Sequence, residues 1–271
     1  MTSGSYTHGH AESVLRGHRL RTAGNSAGYL LPHLRPGLEL LDIGTGPGTI
    51  TADLADRVAP GSVTAVEATD AALAITRAEI ERRGCASVSF VVADAHDLPM
   101  ASGSFDVVHA HQVLQHVADP VVALRQMMRV CRPGGVVAVR DGDYGGFIWY
   151  PELPGLERWR ELYSAAARAN GGEPDAGRRL LAWAHAAGAT RVTATASTWC
   201  YAAPLARESW GGMWADRIIG SAVAEQLVRD GLASRSELAQ IADDWREWAA
   251  HPDGWISIPH GELLIHVDAT M

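Results

Sequence analysis

The run Leu40-Leu41-Asp42-Ile43-Gly44-Thr45-Gly46-Pro47-Gly48-Thr49 concentrates residues that can do chemistry. An apolar segment ends in an acid, glycine stands at every second position, and a helix follows. Glycine lets the backbone turn tightly and lets a ligand approach with no Cβ in the way. The start of the next helix offers unpaired N–H groups to an anionic group. The spacing is Gly-x-Gly-x-Gly, not the Gly-x-Gly-x-x-Gly of dinucleotide folds, because the third glycine of that pattern would fall on Thr49. Asp42, Gly44, Thr45, Gly46 and Gly48 are therefore candidates to hold a nucleotide-like ligand. Glu67, with Ala68 beside it, lies about 20 residues further on, where an acid can accept both hydroxyls of an adenosine ribose. At Asp94-Ala95 a carboxylate can take a hydrogen bond from an adenine amino group, and Asp97 nearby offers the same chemistry.

Histidines form a second set. His109, His111 and His116 surround the end of a β-branched run, and strand alternation puts His109 and His111 on one side of the pleat. His111 alone reaches past the strand into the expected cleft, so it is a candidate for both cofactor contact and catalysis; His109 and His116 read as packed. Tyr6, His8 and His10 sit on the leader, where a histidine can accept a proton near neutral pH. A polar tail is the alternative reading. Against it, the amphipathic stretch that follows, with Val14, Leu15 and Leu20, has an apolar face to bury. These three residues are the remaining catalytic candidates. No histidine pair has the spacing and neighbouring acids of a metal site, so no metal is expected.

Short strands and helices must position these residues. Strands are expected at 38–43, 62–67, 87–92, 105–110 and 136–140, with helices near 49–58, 71–83 and 120–130 between them. Turn and cap signals punctuate the series at Pro60-Gly61, Asp70, Gly84, Asp119 and Pro133-Gly134-Gly135. Such alternation argues an α/β fold with a doubly wound parallel sheet, whose strand C-termini share one edge where ligands bind. Residues 1–37 form a leader, helical over 11–31, ahead of a domain spanning 38–271. After residue 140 the character changes. All nine Trp lie beyond residue 148. Helices are expected at 156–169 and 175–187, strands at 191–198 and 262–267, and helical patterns at 208–229 and 236–250 between those strands. That last insertion, a helical lid at about 204–257, is rich in indole, which suits a flat apolar substrate. Trp210, Trp214, Arg217 and Tyr144 are the candidate substrate-binding residues, with core packing the alternative for the tryptophans and a structural ion pair the alternative for Arg217.

Composition narrows the classes. A hydrophobic content of 47% supports a sizeable core, and no apolar run reaches the roughly 18 residues of a membrane span. With no signal-peptide core either, a soluble cytoplasmic protein is expected. The net charge of −8 disfavours nucleic acid as a partner. Every basic residue is Arg, which excludes lysine chemistry. Cys85, Cys131 and Cys200 are odd in number and far apart, and read as free thiols.

The order of these motifs resembles that of class I S-adenosylmethionine (SAM)-dependent methyltransferases. Asp-x-Gly-x-Gly-x-Gly comes first, Glu67 ends the second strand, and Asp94-Ala95 follows the third. Phe105-Asp106-Val107-Val108 then lies in the fourth strand, and Arg132-Pro133-Gly134-Gly135 precedes the fifth. Across 38–140 this looks like the small-molecule, ubiquinone-biosynthesis-like group. The leader Tyr6 to Leu15, Trp214 to Arg217, Asp253-Gly254-Trp255 and Pro259 to Glu262 resemble a subgroup that modifies secondary metabolites, some on carbon of indole or prenyl acceptors. The resemblance implies a seven-stranded sheet of order 3-2-1-4-5-7-6 with the last strand antiparallel. It also implies SAM as cofactor and methylation of a small, aromatic or polycyclic acceptor on carbon, nitrogen or oxygen. A homo-oligomer through the leader would also fit. The alternatives are a non-catalytic SAM-binding protein or the same fold turned to another reaction. A dehydrogenase lacks its third glycine here, and an amino-methylating nucleic-acid enzyme would carry Asn/Asp-Pro-Pro-aromatic where this chain has His111-Gln112-Val113-Leu114.

Overall fold

A computed structural model describes residues 21–268. One helical turn, α1 (Ala23–Ser26), precedes β1 (Glu39–Ile43). The first half then alternates through α2 (Thr49–Val58), β2 (Ser62–Glu67), α3 (Asp70–Arg83), β3 (Val88–Val92), β4 (Phe105–His111), α4 (Pro120–Val130) and β5 (Cys131–Gly142). The second half runs β6 (Ile148–Tyr150), α5 (Pro154–Ala169), α6 (Leu180–Ala187), β7 (Val192–Tyr201), α7 (Pro204–Gly220), α8 (Ala222–Arg229), α9 (Arg235–Ala250) and β8 (Trp255–His266). The strand order is β3-β2-β1-β4-β5-β8, with β7 on the far side of β8. The first five strands are parallel and β8 is antiparallel to β5. This is the order 3-2-1-4-5-7-6, with β8 as the antiparallel strand.

Strand alternation fills both faces of the sheet. Leu40, Val107, Ala138 and Leu264 pack with Leu54 and Val58 of α2 and with Ala27 and Leu30 of the leading segment. Their neighbours Leu41, Val108, Val137 and Leu263 pack with Leu124 and Met127 of α4 and Leu180 and Ala184 of α6. A third apolar cluster joins the later helices: Trp159 and Tyr163 of α5, Trp214 of α7, and Trp245 and Trp248 of α9.

Four local expectations are corrected. The helix expected over 11–31 does not run through its described end. Thr22 caps a new turn there, its hydroxyl accepting from the Asn25 N–H, and the chain then makes a 3-10 turn at Leu31–His33. The helix expected over 208–229 breaks at Ser221, which has extended backbone. An eighth, three-residue strand, β6, pairs with the first residues of β8. The last strand starts at Trp255 rather than residue 262, long enough to hold β5, β6 and β7 at once. No helix among the described residues is long and apolar enough to cross a membrane.

Candidate active site

The glycine loop stands at the C-terminal end of β1. Gly44, Gly46 and Gly48 have φ of +70°, +52° and +85°, a region that L side chains resist. Their surroundings differ. A Cβ on Gly44 would lie 2.4 Å from a Val113 methyl, and one on Gly48 would lie 3.0 Å from the Thr76 carbonyl oxygen. A Cβ on Gly46 would meet nothing within 4 Å. Gly44 and Gly48 are therefore required by the protein's own packing, while Gly46 leaves a cradle open. Two neighbouring elements hold the loop. The Thr76 hydroxyl of α3 donates to the Gly46 carbonyl at 2.7 Å, so in its 2.8 Å contact with Thr45 the Thr45 hydroxyl must be the donor. From the end of β2, Glu67 Oε1 accepts the Gly46 N–H at 2.6 Å.

Asp42 is buried beneath this loop. Its carboxylate accepts from the Thr51 hydroxyl at 2.7 Å and from His109 Nδ1–H at 2.7 Å, across the register pair Asp42↔His109. The acid thus ties β1 to α2 and β4. Sequence reasoning missed Thr51 and Thr76, which no spacing rule marks, and it missed the Asp42–His109 pairing, because strand register is invisible to it.

Asp94 stands after β3 with 62% of its side chain exposed, while Ala95 is buried. Asp94 accepts from both the backbone N–H of His96 and its Nδ1, at 2.9 and 2.6 Å. Burial pushes its pKa up, but these bonds outweigh it and hold the carboxyl below its ordinary range. His96 Nε2 in turn accepts the Asp119 N–H at 3.1 Å, which fixes the His96 proton on Nδ1. Ala68 is exposed beside Glu67.

All four acceptor candidates meet. Tyr144, Trp210, Trp214 and Arg217 line one pocket, together with Phe147, Trp199 and Gln112 at the sheet's C-terminal edge. The side chains close in on one another here, leaving a free cavity of only about 20 Å³ between them. Its wall is not the work of the expected lid alone, since Tyr144 and Phe147 follow β5 and Trp199 belongs to β7. Trp214 is also core: it is 2% exposed and meets Trp159 edge-on at 4.5 Å. The Arg217 guanidinium lies 4.5 Å over the Trp214 ring.

His111 does not reach past the strand as expected: it is the last residue of β4, paired with Arg140 and 6% exposed, and neither ring nitrogen has a hydrogen-bond partner among the described residues. Its ring stacks on His260 at 6.2 Å and tilts against Trp199 at 5.7 Å. Burial holds its pKa well below the ordinary histidine range, and Arg21, Arg140 and His260 add to this. His109 is packed as expected, and His116 is pushed down to about 3, first by burial. Tyr6, His8 and His10 lie outside the described residues. Among the described residues no cluster has the composition of a metal site.

A parallel-then-antiparallel sheet of this order, with a glycine loop after β1 and an acid bridging to it from β2, defines the class I SAM-dependent methyltransferases. A family model for a methyltransferase domain matches residues 41–139. An uncharacterized methyltransferase of Schizosaccharomyces pombe is 31% identical over 269 residues, covering 96% of this chain and 95% of the yeast protein. A ubiquinone/menaquinone biosynthesis C-methyltransferase of Idiomarina loihiensis is 40% identical over 110 residues, 40% of this chain and 44% of that protein. The solved structure of the YcgJ protein of Bacillus subtilis has a TM-score of 0.58 at 19% identity, covering 89% of this chain and 97% of that one, and so shares the fold. The chain belongs to the SAM-dependent methyltransferase family, and SAM is its cofactor. The residues present fit that group: the open Cβ direction of Gly46 leaves room for close approach, and Glu67 holds a carboxylate against the same loop.

Proposed function

We propose that this enzyme methylates a small flat aromatic or polycyclic acceptor, held in the pocket of Tyr144, Trp199, Trp210 and Trp214. The observation behind this reading is the density of rings at the sheet's C-terminal edge, with Tyr201 stacked on Trp210 at 4.6 Å behind the wall. Rigid rings give a flat ligand large apolar contact at little entropic cost and keep water from the reacting atoms. The partial likeness to quinone C-methyltransferases supports a ring acceptor of this kind.

SAM supplies a methyl group already activated on a positive sulfonium. In this reading Gly44, Thr45, Gly46 and Gly48 form its cradle, and Asp42 braces that cradle from below. Glu67, beside Ala68, takes the ribose hydroxyls, and Asp94-Ala95 takes the adenine edge. His111 borders the methyl-bearing end. Its ring is neutral at pH 7, so it adds no positive charge beside a sulfonium. The acceptor pocket has two arginines, Arg21 and Arg217, and no carboxylate among its described lining residues. The protein's main contribution is to hold the acceptor in line and dry. A base, where an acceptor needs one, would come from Tyr6, His8 or His10 of the leader.

The test is turnover of SAM to S-adenosylhomocysteine with a panel of flat aromatic acceptors against aliphatic amines of similar size. Methylation confined to the aromatic set supports the reading. Turnover of the aliphatic set alone would overturn it.

A further inference from the structure

We propose that Gln112 reads a hydrogen-bond donor on the acceptor through Oε1, and that His260 is the positioning residue that turns the amide this way. This rests on the acceptor pocket proposed above. Gln112 directly follows β4 and lines that pocket. Among the described residues it is the one non-glycine with positive φ, at +54°, and its N–H donates to the Arg140 carbonyl at 2.7 Å. A side-chain-bearing residue in the left-handed region costs energy and persists where its surroundings enforce it.

Donor–acceptor parity then orients the amide. His260 Nδ1 lies 3.0 Å from the Ile258 carbonyl, which can accept and never donate, so Nδ1 carries the proton. His260 is 1% exposed, and burial holds the ring neutral, with Arg140 adding to the effect. Its Nε2 is therefore a lone pair. The Gln112 atom 3.0 Å from it must be the amide nitrogen, as a donor. Oε1 is left facing away from His260, with no donor to it among the described residues and without being buried. The arginines and indoles of the pocket can only donate. The Tyr144 hydroxyl is engaged with Tyr163. Gln112 Oε1 is thus the one side-chain carbonyl among the described lining residues of the pocket, and it fits an O–H or N–H on a flat ring.

The experiment is calorimetry on the full chain loaded with S-adenosylhomocysteine, using 2-naphthol, which has a donor, and 2-methoxynaphthalene, which has none. Wild type is expected to favour 2-naphthol by about 3- to 10-fold, the range of one hydrogen bond. Gln112→Met should bring that ratio close to one while 2-methoxynaphthalene still binds. His260→Phe keeps a ring against Trp199 but removes the Nε2 lone pair, and should lower the ratio part of the way. If Gln112→Met does not fold, Gln112→Asn makes the same test, because its amide is one methylene short. Equal wild-type affinities, or a ratio that survives Gln112→Met or its replacement, would overturn the role of Gln112. A full ratio in His260→Phe would overturn the positioning role. Failure of both naphthalenes to bind wild type would instead overturn the aromatic-acceptor reading, and this inference with it.

Discussion

Replacing Glu67 with alanine removes the carboxylate that holds the Gly46 N–H and, in our reading, the ribose hydroxyls. SAM affinity should fall by about 1–3 kcal/mol, the cost of stranding hydrogen-bonded groups. Calorimetry with SAM on both proteins measures this, and an unchanged Kd removes Glu67 from the ribose. The tryptophans of the pocket divide by burial. Trp214 is enclosed by Trp159, Tyr163 and Trp245, so Trp214→Ala should cost about 3–5 kcal/mol of stability, as large core truncations do. Trp210 is half-buried on the wall of the same pocket. Trp210→Ala should keep a near wild-type melt while raising the KM for the aromatic acceptor. Thermal melts and steady-state kinetics on the two variants separate the roles; a stable Trp214→Ala protein would refute the core assignment.

At the scale of elements, one ion pair locks the antiparallel end of the sheet. Arg140 on β5 and Glu262 on β8 are register partners, with Nε and Oε1 3.2 Å apart, and both are buried. Ser197 and Thr195 of β7 donate to the same carboxylate, so three strands meet at one charge. Burial lowers the Arg140 pKa to about 10, which still leaves it charged at neutral pH. Glu262→Gln should then cost about 3–5 kcal/mol in denaturant unfolding, because it leaves a buried charge without its partner. A loss below about 1 kcal/mol would show that water or the rings around Arg140 compensate. The leader is tested separately. Deleting residues 1–12 should reduce turnover far more than it lowers Tm if Tyr6, His8 or His10 serves the site. Equal activity in the truncated protein would reduce the leader to a tail.

For the whole molecule, stability should carry a pH signature from Asp141. This carboxyl is fully buried at the end of β5, and burial pushes its pKa up to about 7 against hydrogen bonds from the Gln115 and Leu114 N–H groups. One of its oxygens has no hydrogen-bond partner among the described residues. Because the folded pKa is raised, the unfolded chain releases this proton first as pH rises. The contribution is fully present below about pH 4, shrinks through the window up to about 7, and is lost above it. Asp141→Asn keeps an acceptor for the Gln115 N–H and removes the titration. Its stability relative to wild type should therefore rise between pH 4 and 7 by an amount on the order of a few kcal/mol. Paired melts across that range read the difference, and parallel curves would show that Asp141 does not titrate there.

The family likeness carried by its motifs supplied the strand order, while the sequence by itself determined the parallel α/β alternation and the edge where the glycine loop stands. The alternation and the edge rest on local signals: β-branched runs, caps such as Asp119 and Gly84, and glycines whose positive φ is a property of the backbone at one position. It also marked Trp210, Trp214, Arg217 and Tyr144 as a group, and these four line one pocket. Tertiary structure decided what depends on register and packing between distant segments. Asp42 meets His109 because β1 and β4 pair in that register, and Thr76 reaches the loop because α3 lies beside it. Trp214 is core as well as wall because α5, far off in the chain, brings Trp159 against it. Gln112 gains its orientation from His260, nearly 150 residues away. A side chain's type is written in the sequence, but the partner that fixes its orientation is set where strands and helices meet, and no local pattern records that meeting.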